Sequence, residues 1–318
     1  MAATKATPKK KATKKRKPSA AQLAAREERK TELLDKLVEA SDALRTSEGW
    51  LAHLKVARRF HHYSLRNQLL IAMQKPEATR VAGYRAWQAL GRQVIKGESA
   101  LFVLAPVIRK MPMDDAGNIV EPEHATRWVR RVVNFTGASV FDVSQTEGDE
   151  LPPTTRELWE QKRAQVAEEH GDAEAWESVW TDVVAAVEAK LDRTVKLHAE
   201  PKGGAMGWWV PDTTVLHVVA QHPAERIKTL LHELSHSLDP DVLVDAEQAE
   251  LVAESSAWLI AGELGIEATA ESALYVTTWG LTAEKALAIA ERVHNITSTV
   301  LAAVTTEEAD TEEEGEAK

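Results

Sequence analysis

From Pro223 to Asp239 the chain reads PAERIKTLLHELSHSLD, in which Ile227, Leu230, Leu231, Leu234 and Leu238 recur at steps of three and four. That spacing predicts an amphipathic helix with proline in its first turn, and the apolar stripe requires a core to face. Thr229, His232, Glu233 and His236 fall together on the neighbouring face. A His-Glu-x-x-His set lets both imidazoles reach one divalent ion while Glu233, one step round, points at the open coordination position. An ion so held lowers the pKa of bound water toward ~7, and Glu233 accepts its proton during attack on a carbonyl. The pentapeptide also occurs on plain surface helices, so its surroundings decide.

A second helix follows, AEQAELVAESSAWLIAGELG, with Glu250 and Glu254 on one face, 14 and 18 residues beyond His236. Their neighbours are mostly apolar or small, and a charge buried among them needs a partner. A metal is such a partner: one glutamate ligates it and the other orients a ligand histidine through its free ring nitrogen. The spacing is close to that of gluzincin metallopeptidases, which favours Glu254 as ligand and Glu250 behind it. The reverse assignment and a pair of solvated glutamates are the alternatives. Asp239 is placed either to bond a ligand histidine or to end the helix before Pro240. His217, His222 and Tyr275 are weaker candidates for the cleft. A peptide substrate would lie along Thr214 to Val219 (TVLHVV) if that is an edge strand, although an internal strand fits the same residues.

The net charge of −10 conceals a split. Residues 1 to 135 hold 27 Lys+Arg and 13 Asp+Glu, which leaves 12 and 36 for the rest of the totals of 39 and 49. A basic half joined to an acidic half implies a polyanion partner for one of them. Without cysteine there is no disulfide, thiol nucleophile or iron–sulfur cluster, and with no run of eighteen apolar residues the expectation is a cytoplasmic protein with no membrane partner.

The expected fold class is α+β: N-terminal helices with a small antiparallel sheet, then a mostly helical domain with a short sheet. Residues 1–19 read as a basic disordered tail, 20–144 as the first domain, 145–155 (QTEGDELPPTT) as a linker, 156–304 as the second domain and 305–318 as an acidic tail. Within the first domain, Gly91 to Val107 and Ala125 to Val143 are β-rich, with Asp114 to Gly117 a hairpin-type turn between them. A helical, acidic segment spans Arg156 to Leu191. In the basic half, cations alternate with aromatics, the mixture that follows phosphates and stacks single-stranded bases. The DNA-binding candidates are Arg58, Arg59, Tyr63, Asn67, Tyr84, Trp87, Arg92, Lys96 and Arg130. The aromatics serve a core equally well.

The run Tyr63 to Val107, through Asn67-Gln68-Leu69-Leu70, Tyr84 with Trp87, Gly91-Arg92 with Val94, Lys96-Gly97-Glu98 and Pro106, resembles the N-terminal domain of ArdC-type antirestriction proteins. LLHELSH, ELVAE at Glu250 to Glu254, and Trp279 ahead of an alanine-rich helix resemble that family's metallopeptidase domain. The resemblance implies a single-stranded-DNA-binding domain fused to a zincin-like peptidase, in proteins of phages and mobile elements that protect incoming DNA. It implies Zn2+ on His232, His236 and a glutamate, Glu233 as catalytic base, and an unknown protein or peptide substrate. The C-terminal half is also similar to ImmA/IrrE-type regulatory metallopeptidases, which supports Glu254 as ligand. Two rival expectations keep the same residues: a non-proteolytic DNA-binding factor with a structural metal, and a peptidase that cleaves a repressor.

Overall fold

Helix α1 (Ser47–Arg59) starts where the Thr46 hydroxyl accepts a hydrogen bond from the Gly49 amide at 3.0 Å, and it has two apolar sides with different destinations. Trp50, Leu54 and Ala57 enter one hydrophobic cluster; Val56 and Phe60, just beyond the helix end, enter another. The computed structural model describes residues 40–266 and 281–305, with 28, 31, 32, 37 and 38. Tyr275 and Trp279 lie outside the described residues.

The smaller cluster sits under an antiparallel sheet. After α2 (Leu65–Gln74) come β1 (Val81–Gly83), α3 (Tyr84–Ala89), β2 (Arg92–Val94), β3 (Leu101–Met113), β4 (Arg127–Asp142) and β5 (Thr146–Gly148). One sheet has the order β1-β4-β3, and β2 pairs with β5. Strand β3 is an edge, whose unpaired backbone would be open to another chain. Helix α2 covers its base. Asn67 donates to the Leu104 carbonyl and accepts from its amide at 2.9 and 2.8 Å, and Gln74 does the same for Phe102 at 2.9 and 2.9 Å.

The larger cluster is helical and contains α5 (Asp172–Leu191), α6 (Pro223–Leu238), α7 (Ala246–Glu263) and α8 (Ala283–Val304), with Leu44, Trp50, Leu54, Ala57, Leu65 and Leu69 from the N-terminal side. It therefore draws on residues before and after the polar stretch 145–155. Trp50 donates to the Ser255 hydroxyl at 3.0 Å, and Arg58 donates to the Gly262 carbonyl at 2.6 Å, so α1 is fastened along α7. The fold class is thus the expected α+β, with small antiparallel sheets in the first half and a helical second half.

The acidic stretch from Arg156 to Leu191 is helical as expected, divided into α4 (Thr155–His170) and α5 where Gly171 at φ 97° turns the chain in a conformation that side chains resist. One expectation needs correction: TVLHVV is not an edge strand. Its residues form β8 (Val215–Val219), the centre of a sheet ordered β6-β8-β7, with β6 (Thr194–His198) parallel and β7 (Gly207–Trp209) antiparallel to it. Fully buried Leu216 and Val218 require that interior place. The edge beside α6 is β7.

Candidate metal centre

The stripe read from the sequence packs as predicted: Ile227, Leu230, Leu231 and Leu234 are fully buried, and His222 caps α6 by accepting from the Ala224 amide. That packing turns His232, Glu233 and His236 toward α7 and β7. The Nε2 atoms of His232 and His236 are 3.1 Å apart. The Glu250 carboxylate lies 3.4 Å from His236 Nε2 and 3.6 Å from His232 Nε2. A tetrahedral ion with bonds of about 2.0–2.1 Å needs ligand atoms about 3.3–3.4 Å apart, so this donor set fits one. Among the described residues it is the one cluster of at least three His, Asp or Glu suited to a metal.

Glu254 is placed differently from the expectation. Its Oε1 faces the other ring nitrogen of His232, Nδ1, at 3.2 Å. A proton on Nδ1 donated to that carboxylate leaves Nε2 with its lone pair toward His236 and Glu250. Nor are the two carboxylates buried: the side chains of Glu250 and Glu254 are 56% and 39% exposed, against 23% and 13% for the two histidines. The site is open on its α7 side.

Charge and burial compete here. Burial would lower the His232 pKa, but the Glu254 hydrogen bond and the charges of Glu254, Glu233 and Glu250 leave it above the ordinary value. His236 goes the other way, lowered by burial and by His232 despite Glu250 and Asp239. Burial raises Glu233, helped by Glu250 and opposed by His232 and the Trp209 amide. Strand β7 passes close over Glu233: a Cβ on Gly207 would sit 2.4 Å from Thr229 Cγ2 and 3.0 Å from Glu233 Cγ. Glycine is what lets the strand approach.

The remaining candidates have structural partners. Asp239 is buried and takes both Nε and Nη2 of Arg292, tying the end of α6 to α8. His217 lies on the far face of its sheet, 2.8 Å from His198 and stacked on Trp208.

Most of the predicted DNA-binding residues also hold the fold. Arg58 crosses to α7, and Arg59 donates to the carbonyls of Ala78 and Pro76 at 2.7 and 3.0 Å. The Tyr63 hydroxyl donates to the Val81 carbonyl at 3.1 Å, and Asn67 clamps β3. Trp87 is fully buried and donates to the Phe141 carbonyl, while Arg92 donates to the Thr146 hydroxyl and carbonyl and so pins β2 to β5. Tyr84, Lys96 and Arg130 are exposed. So are four large apolar residues of β4: Trp128, Val132, Val133 and Phe135. Composition flagged the arginines of this segment. The face its side chains share is set by strand register, which composition does not carry.

No curated protein matches the sequence. Two solved structures of the antirestriction protein ArdC from the R388 plasmid are similar. The metal-free one is 19% identical, covers 76% of this chain and 85% of its own, and has a TM-score of 0.42. For the Mn(II)-bound one the figures are 18%, 80%, 97% and 0.39. Residues 26–141 match the family of the N-terminal domain of anti-restriction factor ArdC. The N-terminal region, 116 of the 318 residues, is thus similar to the N-terminal domain of ArdC.

Proposed function

We propose that the chain is an antirestriction-type protein that binds single-stranded DNA and hydrolyses peptide bonds at a divalent-metal site formed by His232, His236 and Glu250. The observation that carries the peptidase part is the triangle of Nε2, Nε2 and carboxylate at 3.1–3.6 Å with Glu233 beside it. Zinc suits this donor set, and so do other divalent ions. When bound, the ion would polarise a carbonyl and activate a water.

The residues of the chain do the rest. Glu254 holds the His232 ring through Nδ1. The Glu233 carboxylate receives the proton of the attacking water and passes it to the leaving amine; burial, which lifts its affinity for protons, suits both tasks. The outer edge of β7, from Gly207 to Trp209, is the strand along which a peptide would lie extended, since β8 is enclosed. Exposure of Glu250 favours an open, catalytic site over a closed structural one. The basic N-terminal half and the ArdC domain match support the DNA part.

The test is Glu233→Gln in the full chain. It should keep the metal content and fold of the wild type and reduce cleavage of a denatured protein substrate by at least about a hundredfold, in line with loss of a general base. Unchanged cleavage would exclude Glu233 as the base. No cleavage by the wild type across protein substrates, with the metal retained, would leave a binding protein with a structural ion.

A further inference from the structure

Beyond its three-stranded base, the β3–β4 hairpin continues as two strands paired from Ile108↔Val132 to Met113↔Arg127. On β3, alternation puts Pro106, Ile108, Lys110 and Pro112 on one face, because the facing series Leu101 and Val103 is buried. Directly opposed residues share a face. The pairs Pro112↔Trp128, Lys110↔Arg130 and Ile108↔Val132 therefore join that series, and Pro106↔Phe135 joins it as well.

The last pair depends on an irregularity. Trp128, Arg130 and Val132 are even-numbered positions of β4, and Phe135 in a regular strand would point to the other face. A bulge opposite Val107/Ile108 inserts Val133 and shifts the phase by one residue, which returns Phe135 to the side of Trp128. One face thus presents Trp128 and Phe135, each beside a proline, with Lys110 and Arg130 between them.

This face is open. Trp128, Val132 and Phe135 are 56%, 52% and 48% exposed, a large apolar surface to leave in water. Strands β3 and β4 carry Arg109, Lys110, Arg127, Arg130 and Arg131, and their one acid, Asp142, is buried at the base. The acids Asp114, Asp115, Glu121 and Glu123 are confined to the turn beyond. Cations alternating with exposed aromatic planes match an unpaired strand, in which phosphates and base faces are both available. A duplex hides the base faces, and a protein partner gives no reason for the positive charge.

We infer that the bulged face of the β3–β4 hairpin is the single-stranded-DNA contact surface, with Trp128 and Phe135 stacking bases and Lys110 and Arg130 meeting the phosphates. This rests on the single-stranded-DNA reading above and replaces most of the residues expected for it.

The experiment is titration of a fluorescent oligo-dT with the full chain at several salt concentrations. Replacing Trp128 and Phe135 with leucine keeps an apolar strand but removes stacking, and should weaken binding at least about tenfold. Tyrosine at both positions should restore it. Lys110→Gln with Arg130→Gln should lower the salt slope by about 1.4, two phosphates' worth for a single strand. Arg109→Gln with Arg131→Gln, on the opposite face, should leave the stacking contribution in place. Circular dichroism confirms the fold of each variant. If the wild type binds and the leucine variant binds equally, the surface is wrong although the DNA reading survives. A leucine variant that changes only the oligomeric state marks a protein interface and overturns the inference. A wild type that ignores oligo-dT removes the DNA reading and the inference together.

Discussion

The α6–α7 pair and the β3–β4 hairpin carry the two proposed activities, and they are built in opposite ways. In α6 the face of each side chain follows from a 3.6-residue period, and the buried stripe of Ile227, Leu230, Leu231 and Leu234 leaves one orientation for His232 and His236. In the hairpin the face of Phe135 follows from one inserted residue. The helices are also braced from several sides, by Trp50 on Ser255 and by Arg292 on Asp239, whereas the outer hairpin is held chiefly by its own ladder among the described residues. A site that must hold three ligand atoms within a few tenths of an ångström needs such bracing. A surface that lets bases stack in several registers does not.

The largest difference should appear on removing a brace. Trp50 is fully buried between α1 and α7, so Trp50→Ala should destabilise the chain by about 3–5 kcal/mol in denaturant unfolding. A loss under about 1 kcal/mol would mean that α1 is not part of the helical core.

Acid should separate the two regions by a smaller amount. Burial lowers the His53 pKa from 6.5 to about 4, assisted by His294. Its neutral form is the folded one, so stability is complete above pH 6.5 and falls as the pH drops from there toward 4. The loss at pH 5 is about 2 kcal/mol by proton linkage. At the base of the sheet, Asp142 behaves in the opposite sense. Burial would raise its pKa, yet hydrogen bonds from Ser144, Thr79 and Arg80 hold it below 3.8. Its contribution is present above that value and disappears only at lower pH. Hydrogen exchange should therefore show the helices around His53 loosening between pH 6.5 and 4 while the sheet base holds. Replacing His53 with glutamine should flatten the first change.

What could be read from the chain alone follows the same division. Helix α6, its proline start and the shared face of His232, Glu233 and His236 were legible, since local periodicity determines them. Which glutamate meets both histidines was not. Glu250 and Glu254 lie one turn apart on one face, and only the way α7 crosses α6 puts Glu250 at Nε2 and Glu254 at Nδ1. Strand β6 escaped notice because Thr194–His198 is short, with only Val195 and Leu197 apolar, and a parallel partner leaves no turn signal. Trp87 and Arg92 looked suited to nucleic acid by composition, but burial and backbone carbonyls claim them.

The central claim is a metal centre with Glu250 as ligand and Glu254 as the residue that holds His232. Titration of zinc into the metal-stripped wild type, Glu250→Gln and Glu254→Gln, read by calorimetry, tests it most directly. The account predicts about one tight equivalent for the wild type, loss of tight binding for Glu250→Gln, and a ten- to hundredfold weaker site for Glu254→Gln. Absence of binding to the wild type, or a greater loss with Glu254→Gln than with Glu250→Gln, would contradict it.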